Sequence, residues 1–292
     1  MFDLPSFGKS FDEDVRAGFV RKVFGIVSTQ LTATAIICLF ATVSDAFFEF
    51  QLNNFWIYIV AAIGTIVTYS MLVCSCCGNY QREYPMNMIL LGIFTLCEAY
   101  TLSSLCAFFT PFLVASAIGI TAAMTLGVLA FATAPSTNLI SSARVISILA
   151  MALTCSGILL IFVRIPMLEW FYLLGGLVVY GFSLAFHFQL VIGNKLGVEF
   201  GVDDYIQASL VLYLDIVRIF VRILILLAKL TGKEGERKKK WSLLINSILL
   251  TQCLHSMSVF IFDYPSFLPS QIVEVDWEAL QEEDYWRDSA CC

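Results

Sequence analysis

The chain has 292 residues, 59% hydrophobic and 14% charged, with a mean hydropathy of +0.83. A soluble domain carries roughly 25% charged residues, so a soluble enzyme, a nucleic-acid binder and a secreted disulfide scaffold are excluded in favour of an all-α, polytopic membrane protein. The net charge of −6 is local: residues 263–292 carry eight acidic side chains and one arginine, and the 262 residues before them sum to +1.

The first twenty residues are polar and acidic (Asp3, Asp12, Glu13, Asp14), lack an apolar core, and are not expected to be a cleavable signal peptide. They read as a cytosolic segment, 1–20. Seven apolar stretches of bilayer length follow, at 23–43, 55–74, 87–108, 113–133, 143–162, 170–192 and 206–230. Turn and helix-stop residues separate several of them: Gly78 to Pro85, Thr110-Pro111, Pro135 and Pro166. An eighth stretch, 241–262, is interrupted by polar residues such as Asn246, Gln252 and His255. The organisation expected is an N-terminal segment, a seven-helix membrane domain over 21–230, and a C-terminal extension over 231–292.

Loop charge bears on orientation. Lys9, Arg16, Arg21 and Lys22 precede the first stretch, and Lys229, Lys233, Arg237 and Lys238 to Lys240 follow the seventh. Seven full crossings set these two basic groups on opposite sides. The seventh stretch also holds Asp215, Arg218 and Arg222, each costing roughly 2.5–3.5 kcal/mol at mid-bilayer. It therefore belongs inside the bundle, and the expectation is six crossings plus a seventh segment that enters and returns. The rival is a full seventh crossing with the eighth stretch, 241–262, returning, which leaves the second basic group lumenal.

Three ionisable residues inside apolar stretches are the functional candidates: Glu98, His187 and Asp215. A carboxylate facing the bundle can bind a cation, accept a proton or make a gating hydrogen bond. The plainer reading for Asp215 is an internal ion pair, since Arg218 and Arg222 at i+3 and i+7 share its face. His187 can equally be a hydrogen-bonded packing residue. No catalysis is expected. Two histidines are too few for a multi-histidine zinc site, and Ser183 and His187, one turn apart, lack the Gly-x-Ser-x-Gly elbow of a hydrolase. Cys74, Cys76 and Cys77 cluster at the end of the second stretch, where S-acylation or metal binding competes with unmodified interfacial thiols.

Three motifs resemble the transmembrane Bax-inhibitor-motif, or lifeguard, family. One runs from Asp204-Tyr205 through Gln207-Ala208-Ser209 to Asp215-Ile216-Val217-Arg218. The others are Tyr84-Pro85-Met86-Asn87 leading to Cys97-Glu98-Ala99-Tyr100, and Phe19-Val20-Arg21-Lys22 with Gln30-Leu31 after it. The resemblance spans about residues 16–230. It implies a Bax-inhibitor-like bundle of six helices around a central seventh, residence in the endoplasmic reticulum or Golgi membrane, a pH-sensitive calcium leak, and suppression of stress-induced cell death. Calcium is then the transported ion rather than a cofactor. The partners implied are the bilayer, calcium and membrane proteins of the cell-death or calcium-channel machinery. A non-conducting protein that regulates such partners by helix packing is the alternative.

The same resemblance implies an acidic pair at the gate, one member on helix six and one on helix seven. Asp215 matches the second. At the first, where the family reads roughly Tyr-Asp-Thr-Gln-Leu, this chain reads Phe186-His187-Phe188-Gln189-Leu190. Two carboxylates repel, whereas a protonated His attracts an Asp. The expectation is a gate with altered pH dependence, or one locked by a His187–Asp215 contact.

Overall fold

A computed structural model describes residues 4–73, 83–134, 143–163, 166–193, 200–201 and 203–231. Cys74, Cys76, Cys77, the stretch 241–262 and the basic and acidic parts of the extension lie outside the described residues. Eight helices are described: α1 (Leu4–Val43), α2 (Asp45–Asn53), α3 (Phe55–Val73), α4 (Met86–Cys106), α5 (Pro111–Ala132), α6 (Ala143–Phe162), α7 (Pro166–Ile192) and α8 (Tyr205–Leu230). The seven expected stretches are all helical. α2 is an addition: Ser44, in extended conformation, accepts a hydrogen bond from the Phe47 amide, and Asp45 sits in the first turn. α1 starts at Leu4 and runs without a break through residue 20 into the first membrane stretch.

Among the described residues, five helical segments are long and apolar enough to cross a bilayer: Asp14–Val43, Phe55–Val73, Met86–Cys106, Pro111–Ala132 and Met167–Ile192. Their outward faces are apolar, with Ile36 and Phe40 on α1, Trp56 and Ile63 on α3, and Phe171 and Val178 on α7 all exposed. Such a surface suits lipid, because hydrocarbon is as apolar as the side chains it meets.

α8 is the inverse. It is buried from Ile206 to Ala228 along nearly every residue, and it packs against α1, α3, α4, α5 and α7. Its charges keep it from lipid, and the other helices supply the cover. It is one unbroken helix of 26 residues, about 39 Å at 1.5 Å per residue. It does not enter and return, which corrects the expectation stated above. Contacts between α7 and α8 run antiparallel, from Glu169 with Lys229 at one end to His187 with Asp215 further along. Arg16 and Lys22 lie at the start of α8 and Lys229 at its far end. Arg16 and Lys22 are therefore separated from Lys229 by the length of that helix.

The start of α8 is fastened by the residues that carried the family resemblance. Asn87, fully buried at the head of α4, donates to the Tyr205 hydroxyl at 2.9 Å, and the Lys22 ammonium sits over the Tyr205 ring. Arg16 donates to the carbonyls of Leu190 at 2.6 Å and Phe200 at 2.7 Å. A cation at the end of α7 is favoured by the helix dipole. The helix closes on Gly193 at φ 89, a left-handed position where glycine carries no Cβ penalty.

Candidate polar seam between helices seven and eight

On α8, Asp215, Arg218, Arg222 and Lys229 follow at intervals of three, four and seven, so they share one face. On α7, Glu169, Tyr172, Gly176, Tyr180, Ser183 and His187 do the same. The two faces meet, and a polar seam runs between otherwise apolar helices.

Asp215 is the centre of the seam. It is 0% exposed, and both carboxylate oxygens are engaged. Oδ1 accepts from Arg218 Nη1 at 3.1 Å. Oδ2 lies 2.6 Å from His187 Nδ1 and accepts from Ser183 Oγ at 3.2 Å. A buried carboxylate needs such partners, because losing its hydration without them costs several kcal/mol. The expected His187–Asp215 contact is thus present, and so is the plainer Asp215–Arg218 ion pair.

Arg218 and Arg222 are 4% and 3% exposed. Arg222 donates through Nη2 to the Tyr172 hydroxyl at 3.2 Å and through Nη1 to the Arg218 carbonyl at 3.2 Å. Its guanidinium stacks 4.2 Å from the Tyr180 ring centroid and 5.0 Å from that of Tyr172, so ring faces take part of the place of water. Arg222 is therefore not a partner of Asp215, although it shares the face; the tyrosines of α7 hold it one turn away. Gly176 makes room for it. A Cβ there would lie 2.8 Å from Arg222 Cδ and 3.0 Å from Cζ, and closer still to Nε. The seam ends where Lys229 pairs with Glu169, with the ammonium 5.6 Å from the Trp170 ring centroid.

Glu98 is not part of this cluster. It lies on α4 at 6% exposure, and its Oε2 has no hydrogen-bond partner among the described residues. It is within electrostatic reach of Arg218 and of Tyr213. Arg218 Nε and Nη2 likewise have no hydrogen-bond partner there; Arg218 is hydrogen-bonded to Asp215 and acts on Glu98 at longer range. Tyr213 joins α8 to α1 through Thr34 at 2.9 Å.

Ser183, His187 and Asp215 are brought together, yet not in hydrolytic order. Ser183 Oγ donates to the carboxylate, and among the described residues no hydrogen bond joins it to His187; a nucleophile needs that bond to its base. Among the described residues no group of three His, Cys, Asp or Glu side chains could hold a metal ion. The seam's arrangement can do something simpler. It clamps a carboxylate shut, and it can release that carboxylate if α7 and α8 part. Sequence reasoning did not single out Tyr172, Tyr180 or Gly176; their spacing of four and four along α7 sets them on one helical face, as the α8 charges are set on theirs, which is the signal that was there to find.

The family described as Inhibitor of apoptosis-promoting Bax1 matches residues 16–232. Mouse Protein lifeguard 3 is 32% identical over 221 residues, covering 74% of this chain and 71% of that protein. Human Protein lifeguard 3 is 30% identical, covering 74% and 70%. An Arabidopsis thaliana BI1-like protein is 31% identical over 223 residues, covering 74% and 83%. No solved structure matches the chain. The matched region begins at Arg16, which binds the end of α7, and closes just beyond α8, so the seam and its fastenings lie within it; the chain belongs to the Bax inhibitor, or lifeguard, family of membrane proteins.

Proposed function

We propose that this protein is an endomembrane cation leak of the endoplasmic reticulum or Golgi that passes calcium passively and so lowers sensitivity to stress-induced cell death. The gate is the Asp215 clamp. The observation that carries the reading is a carboxylate with 0% exposure, held by groups from two helices. In that state no cation can reach it. Leak requires α7 and α8 to separate at His187, which frees Asp215 to meet the ion. A histidine beside Asp215, where the resemblance implies a second carboxylate, exchanges repulsion for attraction and so alters the pH dependence of the gate. Arg218 on α8 holds Oδ1 throughout, and Glu98 on α4 supplies a competing anion for the same arginine.

One observation favours the alternative of a non-conducting protein that regulates calcium channels or death factors by helix packing. Arg218, Arg222 and Lys229 outnumber Asp215 and Glu169 along the seam, and a divalent cation passing there would meet net positive charge. Calcium flux into liposomes holding the full chain, measured between about pH 6 and 8, separates the two. A pH-dependent flux lost in Asp215→Asn supports the leak. No flux from folded protein at any pH refutes it and leaves the packing role.

A further inference from the structure

A cavity of about 320 Å³ opens between α1 and α5 and is floored by α4 and α8. Its walls are Leu31 on α1, Leu102 on α4, Ile118 and Leu126 on α5, and Val217 and Phe220 on α8. Each threonine hydroxyl of the wall already donates within its own helix. Thr34 Oγ1 is hydrogen-bonded to the Gln30 carbonyl at 2.8 Å and to the Tyr213 hydroxyl, Thr121 Oγ1 donates to Ala117 at 2.7 Å, and Thr125 Oγ1 donates to Thr121 at 2.8 Å. A water in a cavity needs two to four polar partners, and an apolar cavity of ~150 Å³ stays dry and takes up benzene instead. This one is about twice that size and offers water almost nothing.

Its position says what can enter. Ala122 and Leu126 at the mouth are exposed on the outer face of α5. They lie near the middle of Pro111–Ala132, and Val217 lies at the middle of Tyr205–Leu230. The mouth is therefore at the depth where phospholipid chains end, far from headgroups. The medium outside it is hydrocarbon, and no threonine hydroxyl of the wall is left to donate to a sterol. We propose that the cavity is a lateral binding site for the terminal part of one phospholipid acyl chain. The chain would lie against Ile216 and Val217, the residues that follow Asp215 on the central helix, and brace α8 from the side opposite the clamp's α7 partners. This site stands whether or not the protein conducts.

The test uses the full chain in bilayers of phosphatidylcholine carrying a photoreactive diazirine at the acyl terminus, with adducts mapped by mass spectrometry. Adducts are expected to concentrate on α1 and α5 residues of the cavity wall, above those on the lipid-facing Ile59 and Ile63 of α3. They should be lost in Ala122→Trp, while the α3 adducts persist and report an intact fold. If Ala122→Trp fails to fold, Leu126→Trp at the rim makes the same test. Even labelling of α3 and α5, or labelling unchanged in the Trp variant, overturns the proposal. So do selective labelling by a diazirine sterol, or crosslinks between two copies through Leu126→Cys in place of lipid adducts.

Discussion

Gly175 and Gly176 are neighbours on α7, and replacing each by alanine isolates the packing of Arg222. Both substitutions gain the same helix propensity, up to about 1 kcal/mol, so that contribution cancels between them. At Gly175 a Cβ would meet Leu153 Cδ2 at 3.8 Å, an ordinary contact. At Gly176 it would fall on the Arg222 side chain. The helices can then part, at about 1–3 kcal/mol for an overpacked core. Alternatively Arg222 can swing away, losing a charged hydrogen bond to Tyr172 of about 1.5–3 kcal/mol and ring stacking of about 0.5–2 kcal/mol. The cheaper route sets the outcome, so Gly176→Ala is expected to be less stable than Gly175→Ala by about 1–3 kcal/mol. Unfolding of the purified full chain in one detergent, read by melting temperature and by denaturant titration, measures the difference. In an Arg222→Ala background the clash is gone and the two alanine variants should converge, giving a coupling energy of the same size. Equal stability of the two single variants, or a penalty that survives Arg222→Ala, would refute the placement of Arg222 against Gly176.

His187→Asp exchanges attraction for repulsion beside Asp215. It should raise calcium flux and be more stable in acid, where the two carboxylates can share a proton, than at neutral pH; liposome flux and melting across pH read both, and no change in either sinks the clamp. Removing the Asn87–Tyr205 hydrogen bond with Asn87→Ala should destabilise by about 1–3 kcal/mol, because a buried donor–acceptor pair is left incomplete. Tyr205→Phe in the same background should then add little, and additive losses in that cycle would show that the two side chains act separately. Lys229→Ala breaks an ion pair with the 36% exposed Glu169 side chain and should move stability by less than about 1 kcal/mol, with that small effect fading in salt.

Much of the architecture was legible before any coordinates. Apolar stretches of about twenty residues have one stable solution in a bilayer, a helix that satisfies its own backbone, and seven such stretches became α1 and α3 to α8. The burial of α8 was legible for a related reason: Asp215, Arg218 and Arg222 on one face cannot be offered to lipid. That His187 stands where the family's first gate carboxylate is expected came through the family resemblance, and its contact with Asp215 followed. α2 was missed because nine residues beginning at an interfacial Ser-Asp cap are too short to show against the apolar runs on either side.

Tertiary structure decided the rest. Arg222 shares a face with Asp215 in the sequence, but its partners are Tyr172 and Tyr180, because the axial register of α7 against α8 sets which ring meets which charge. That register is invisible along one strand of text. α7 is apolar around most of its circumference, so its periodicity does not say which side turns inward until a charged neighbour docks against it. The basic residues at the two ends of α8 suggested a segment that returns, and an unbroken helix fastened at Tyr205 and Lys229 rules otherwise. Composition alone determined that the chain lives in a membrane and keeps α8 from lipid. Only the packing of helix on helix determined that Asp215 is closed, that Gly176 is needed beside Arg222, and that a dry cavity faces the hydrocarbon, since each depends on side chains far apart in the chain arriving at the same place.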